Sequence, residues 1–179
     1  MNNQKFSLQP FADGKLLPNL KITGNITRHA NQLNLCYVLS GDLAKVAIAP
    51  PSNTPKRKHE LWQDTCFEFF LGVKDSDKYW EFNLSPTGDW NIYRFDGYRQ
   101  GMQEETAFLV FPFNVQHQSD GLMVVLEMNL NQIILLEKVI QIAITTVIKS
   151  KDGEVSYWAL THQGKEADFH LRDSFIIEI

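Results

Sequence analysis

The sequence predicts an all-β chain folded as a single antiparallel β-sandwich, and three observations carry that prediction. Apolar residues recur with a period of two over most of the chain, helix-period patterning is nearly absent, and short turn signals punctuate the runs. Leu33, Leu35, Tyr37 and Leu39 alternate with polar or small residues, and so do two later sets, Leu122, Val124, Leu126, Met128 and Leu130, then Ile140, Ile142, Ile144, Thr146 and Ile148. Further runs near 21–27, 45–49, 65–71, 78–85, 90–95, 108–117, 154–160 and 174–179 raise the expectation to about ten or more strands. Turns are expected at Asp13-Gly14, Ser40-Gly41-Asp42, Thr87-Gly88-Asp89, Ser119-Asp120-Gly121 and Lys151-Asp152-Gly153. The last two read as hairpins because each lies directly between two alternating runs. Residues 131–137 are allowed a brief helical turn and no more.

Composition bounds the function. At 179 residues, 44% hydrophobic and 21% charged, the chain can bury one sizeable core, and 1–179 is read as one domain. A net charge of −4 with scattered basic residues argues against nucleic acid. The basic run Lys56-Arg57-Lys58 follows a Pro-rich stretch and is expected to decorate an exposed loop. No apolar stretch approaches the roughly 18 residues of a membrane helix, and the N-terminal residues show no basic leader followed by an apolar block. A cytoplasmic location without a membrane partner is therefore expected. Cys36 and Cys66, in apolar runs without paired spacing, are expected to be reduced, buried small hydrophobes. Asp75-Ser76-Asp77 reads as a polar turn, no metal site is expected, and no nucleophile, P-loop or dinucleotide motif is present.

Strand parity sorts side chains onto faces. Phe67, Phe69 and Leu71 read as core, leaving Trp62, Asp64, Cys66, Glu68 and Phe70 opposite; Trp80, Phe82 and Leu84 read as core, leaving Tyr79, Glu81, Asn83 and Ser85 opposite. Val155, Tyr157 and Ala159 are assigned to the core, so that Trp158 shares a polar face with Glu154 and Ser156. Three of the 4 tryptophans lie between Trp62 and Tyr98 amid a dense run of Phe and Tyr. Sugar rings offer apolar C–H faces rimmed by hydroxyls, and a protein that grips them needs flat aromatic surfaces beside charged or amide hydrogen-bonding groups. Trp62, Asp64, Glu68, Glu81, Asn83, Arg94 and Trp158 supply those types. The bland alternatives are core tryptophans, a solvated carboxylate face and a structural ion pair for Arg94. Asp64, Glu68 and Glu81 also admit a glycosidase pair, which ranks below binding.

Three blocks carry a family resemblance. Leu61-Trp62-Gln63-Asp64-Thr65-Cys66-Phe67-Glu68-Phe69-Phe70-Leu71, the run from Tyr79 to Trp90, and Trp158 through Asp168-Phe169-His170 to Phe175 resemble the recurring blocks of the DOMON-like superfamily, in particular family-9 carbohydrate-binding modules. The resemblance runs from about Leu33 onward and implies a β-sandwich of jelly-roll type with its ligand site in a concave face. In sugar-binding members two tryptophans sandwich a terminal sugar, which implies Trp62 and Trp158 as the pair, Glu68 as the acid and Arg94 as the base after the Gly-containing turn. His170 matches a family position that can fasten its loop through hydrogen bonds. The resemblance as a whole implies a small saccharide or glycan as the partner and no catalysis. Other superfamily members bind haem through a Met and a His; here that pair would be Met102 with His162 or His170. A haem domain and a protein-interaction module with a vestigial cleft are the alternatives.

Overall fold

The computed structural model describes residues 3–12 and 19–179, so the expected Asp13-Gly14 turn lies outside the described residues. Among the described residues thirteen strands follow in chain order: β1 (Gln4–Ser7), β2 (Gln9–Pro10), β3 (Leu20–His29), β4 (Gln32–Gly41), β5 (Cys66–Val73), β6 (Tyr79–Leu84), β7 (Trp90–Phe95), β8 (Gln103–Glu104), β9 (Phe113–His117), β10 (Gly121–Asn129), β11 (Ile140–Lys149), β12 (Val155–Ala159) and β13 (Ile177–Glu178). They form two antiparallel sheets, β1-β3-β4-β10-β9 and β2-β12-β11-β5-β6-β7-β8, with β13 pairing β11 beyond the end of β12. Helical content among the described residues is limited to 3₁₀ turns, including Leu61–Gln63 and Leu130–Gln132. The second of these falls where the sequence allowed one turn. The expected hairpins join β9 to β10 and β11 to β12.

The inner faces meet in a core built from the alternating residues. Ile22, Ile26, Leu33, Leu35, Tyr37, Leu122 and Val124 come from the first sheet, and Phe67, Phe69, Leu71, Phe82, Ile142 and Ile144 from the second. Phe69 and Phe82, a cross-strand pair, stack with ring centroids 4.2 Å apart. Tyr37 spans the layers, donating from its hydroxyl to the Glu68 carbonyl oxygen at 2.6 Å.

Four expectations are corrected. Residues 45–49 make no strand: after the 3₁₀ turn Leu43–Lys45, Val46 forms one isolated bridge to Ser150, and Pro50 and Pro51, lacking N–H donors, cannot extend a ladder. The run 108–117 pairs only from Phe113, beyond Pro112, while Phe108 and Phe111 pack on Phe82 and close one end of the core. Arg57 is not a solvated loop residue. Its guanidinium lies 4.3 Å from the Trp90 ring and donates to Asn91 Oδ1 and to the Glu105 and Phe108 carbonyls at 2.7–2.9 Å, which pins that loop. On β12 the parity is inverted: Trp158 faces the core, 5% exposed, with Nε1 donating to Ser156 Oγ at 3.0 Å, while Tyr157 points outward.

Cys66 is buried on the outer face of the second sheet, whereas Cys36 is half-exposed on the outer face of the first, not buried as expected. Two packed sheets stand between them, and stacked sheets lie about 10 Å apart, beyond the reach of a disulfide. Thiol labelling of the native protein should modify Cys36 and leave Cys66 unreacted until denaturant is added, with no Cys36–Cys66 bridge by mass spectrometry. Trp158→Ala should lower stability by about 3–5 kcal/mol, the scale of a truncated core aromatic, measured by urea denaturation.

Candidate functional site

The outer face of the second sheet is covered in turn, and its cover leaves a hollow. Register decides what lies beneath. Glu68 pairs Asn83, which pairs Asn91; one row further along, Phe70 pairs Glu81, which pairs Tyr93. The two carboxyl groups thus stand as diagonal neighbours on adjacent strands, among Phe70, Tyr79, Tyr93 and Phe95. Trp62 rises from the 3₁₀ turn Leu61–Gln63, Arg99 and Met102 from the loop between β7 and β8, and Ala167, Phe169 and His170 from the segment after β12. Together with Tyr157 they wall a cavity of about 420 Å³ floored by Glu68, Phe70, Glu81 and Phe95. A hollow of about 640 Å³ near Lys58, His59, Asp64 and Lys151 has no Trp, Tyr or Phe in its lining and no buried carboxyl group.

A polar clamp holds the cover. Asp168 accepts from the Tyr98 hydroxyl, from Arg99 Nη2 at 2.9 Å and from the His170 backbone N–H at 3.0 Å. Burial alone would raise its carboxyl, but the bonds from Tyr98, His170 and Arg99 hold it below the usual range. The Arg99 backbone N–H donates to the Tyr79 hydroxyl oxygen at 3.2 Å, and that hydroxyl lies 2.8 Å from His170 Nδ1. Its proton is then free to bond Nδ1, which assigns the neutral ring the Nε2–H tautomer, facing Glu81 Oε2 at 3.8 Å. Burial, helped by the Arg99 charge, pulls His170 down to about 4.

The carboxyl pair is unusual. Glu81 Oε1 accepts from Asn83 Nδ2 at 2.9 Å. Burial pushes Glu81 up to about 7, against the lowering effects of Asn83 and Arg99. Glu68 goes further: burial first, then the Glu81 charge, hold it well above the usual carboxylate range despite hydrogen bonds from Cys66 and Thr145. Its Oε1 is buried without a hydrogen-bond partner among the described residues. Burial thus favours the neutral form of both carboxyl groups, Glu68 more strongly than Glu81.

No protein-family model matches the sequence, and no curated protein does. Solved structures do. A proposed carbohydrate-binding protein from Bacteroides uniformis superposes with a TM-score of 0.65 at 13% identity, over 94% of this chain and 84% of that one. A family-9 carbohydrate-binding module from Caldicellulosiruptor kristjanssonii, in complex with glucose, gives 0.54 at 13% identity over 92% and 78%. The same organism's family-9 module with cellotriose gives 0.52 at 12% identity over 88% and 74%. The chain has the β-sandwich fold of these modules.

Of the residues singled out from sequence, Trp62, Glu68, Glu81 and His170 gather around the cavity. Asn83 is fully buried behind it and reaches it only through Glu81. Three do not belong. Asp64 precedes β5, so strand parity does not extend to it; its side chain is 75% exposed and pairs Lys149 Nζ at 2.8 Å. Arg94 shares parity with Trp90 and Ile92, on the side away from the cavity, and its exposed side chain donates to Gln103 Oε1 at 2.6 Å. Trp158 is core, and Tyr157 takes its place at the wall. Phe70 and Phe95 were open to parity reasoning; Arg99, on a loop with φ of 52°, carried no sequence signal.

Glu81 makes stability fall with rising pH. Its folded pKa exceeds the unfolded one, so the folded state holds the extra proton between about 4.5 and about 7, and its stabilisation is lost as pH rises through about 7. His170 acts oppositely, losing stability as pH falls from about 6.5 to about 4. Glu81→Gln, whose amide oxygen can still accept from Asn83, should melt above wild type at pH 8 and close to it at pH 4, read from thermal melts across that range.

Proposed function

We propose that this chain is a non-catalytic carbohydrate-binding module of the family-9 type, within the wider DOMON-like group, and that it holds a terminal sugar or small saccharide in the cavity on the second sheet. The observation that carries the reading is the pairing of aromatic walls, Trp62, Tyr157 and Phe169, with a buried floor of Glu68 and Glu81. Flat rings suit the apolar faces of a pyranose. A protonated Glu68 both donates and accepts, as a sugar hydroxyl does, and Glu81 and Arg99 add charge-assisted bonds. The modules of similar fold that hold glucose and cellotriose lend support at the level of fold.

Binding is favoured over hydrolysis by placement. A glycosidase pair flanks the scissile bond from two sides, whereas Glu68 and Glu81 both rise from one sheet face, beneath any ligand. The engagements of the two histidines argue against haem. His170 has Nδ1 taken by Tyr79 and Nε2 turned to Glu81, and His162 packs on Phe11 with Nε2 on the Gln9 carbonyl.

Titration with mono- and disaccharides, followed by tryptophan fluorescence, tests the reading. Wild type should respond saturably, and Trp62→Ala should weaken binding roughly tenfold while melting closer to wild type than Trp158→Ala does. A flat response to every saccharide would overturn the reading and leave a protein-interaction module in its place.

A further inference from the structure

Within the cavity, the floor and the walls ask for different things. The walls are aromatic, but the floor carries two carboxyl groups with no cation committed to them among the described residues. Arg99 lines the cavity, yet its Nη2 is engaged by Asp168 at 2.9 Å, in a clamp that faces the cover. His170 is neutral in the assigned tautomer. Glu68 Oε1 is buried without a partner among the described residues, and in Glu81 the oxygen not held by Asn83 lies 3.8 Å from His170 Nε2. An orphaned buried acceptor beneath an aromatic cage is incomplete as it stands.

We propose that the cavity selects a saccharide carrying a free protonated amine, an amino sugar, whose ammonium group settles on Glu68 and Glu81 while its ring lies against Trp62 and Phe169. This rests on the carbohydrate-binding reading above and narrows it. An ammonium supplies several donors from one small group, enough for Glu68 Oε1 and the free side of Glu81 together. Trp62, Tyr157 and Phe169 line the same volume, and aromatic walls attract a cation more than a neutral hydroxyl.

Binding on this scheme displaces a proton. The groups near the Glu68 carboxyl are Glu81, Cys66 and Thr145, with Tyr37 on the far side of the sheet bonded to the Glu68 backbone, and those near Glu81 are Glu68, Cys66, Asn83, His170, Tyr79, Tyr93 and Arg99. Of these only Arg99 is cationic, so a ligand that brings positive charge favours ionisation of both carboxyl groups together. The amine keeps its proton, and the carboxyl proton leaves to solvent.

Calorimetric titration of the whole chain with glucosamine, glucose and N-acetylglucosamine, at a pH where the amine is protonated, tests this. Glucosamine should bind roughly tenfold tighter than glucose or more, with N-acetylglucosamine no better than glucose. Repeating the titration in buffers of different ionisation enthalpy should reveal protons released with glucosamine and none with glucose. Glu68→Gln and Glu81→Gln should each shrink the ratio of the two affinities toward one. Equal binding of glucosamine and glucose by wild type would overturn the amine preference and leave the carbohydrate reading intact. Failure of all three sugars to bind would overturn both.

Discussion

A sheet that is covered on both faces has no solvated side on which to place its polar residues, and that constraint shapes the second sheet and everything built on it. Strand β5 is buried at every position up to Gly72. Such strands usually read as continuous apolar runs, and Cys66-Phe67-Glu68-Phe69-Phe70-Leu71 nearly does. The exception, Glu68, lies on the covered outer face, where a carboxylate must find a cation or give up its charge. With Glu81 diagonal to it and Arg99 turned to Asp168, burial and the Glu81 charge push it toward the neutral form.

Cover and floor are made by separate parts of the chain, and the cover is fastened by polar contacts rather than by regular structure. Asp168 joins the segment after β12 to the loop after β7, and Tyr79 links Arg99 to His170 from the sheet below. Arg172 anchors the far end. Its guanidinium lies across Gly72, where a Cβ would overlap it, packs 4.6 Å from the Phe175 ring, and donates to Gln141 Oε1 at 3.0 Å. Gly72 is thus the gap that lets the covering segment lie flat on β5, and Phe175 then closes over Phe70 and Tyr79. Loops on a rigid scaffold commonly carry binding residues; here they also exclude water from two ionisable groups.

The sandwich was legible because period-two alternation reports directly on one buried face, and it failed where that premise failed. Phe67, Phe69 and Leu71 against Glu68 and Phe70 were sorted correctly, since β5 is regular throughout. On β12 both faces are covered, one by the core and the other partly by Phe169, so Val155, Tyr157 and Ala159 look as apolar as a core face should. Trp158 was misplaced for that reason. Trp62 reached the cavity wall through a 3₁₀ turn rather than by the strand parity that singled it out, and Asp64, judged by the same parity, went to the surface. Arg94 and Arg99 lie five residues apart. Nothing local distinguishes them, because the loop closure that brings Arg99 to Asp168 is a contact across the chain.

On the proposed reading, stability and binding pull in opposite directions at the same two side chains. Replacing a buried carboxyl pair with neutral isosteres removes desolvated groups and is often stabilising, yet a floor of two glutamines would offer a sugar only fixed amide dipoles. Keeping Glu68 and Glu81 leaves a desolvated carboxyl pair that a ligand supplying donors or charge would relieve. Such a patch is an expected place for natural sequences to fall short of their stability optimum. The rest of the sandwich can absorb that cost because its main core lies on the other side of the sheet. There Phe69 stacks on Phe82 and Tyr37 bonds the Glu68 carbonyl, which fixes the backbone of β5 whatever the charge on the side chain above it. The charge state of the floor can therefore change with ligand while the strands that position it stay in register.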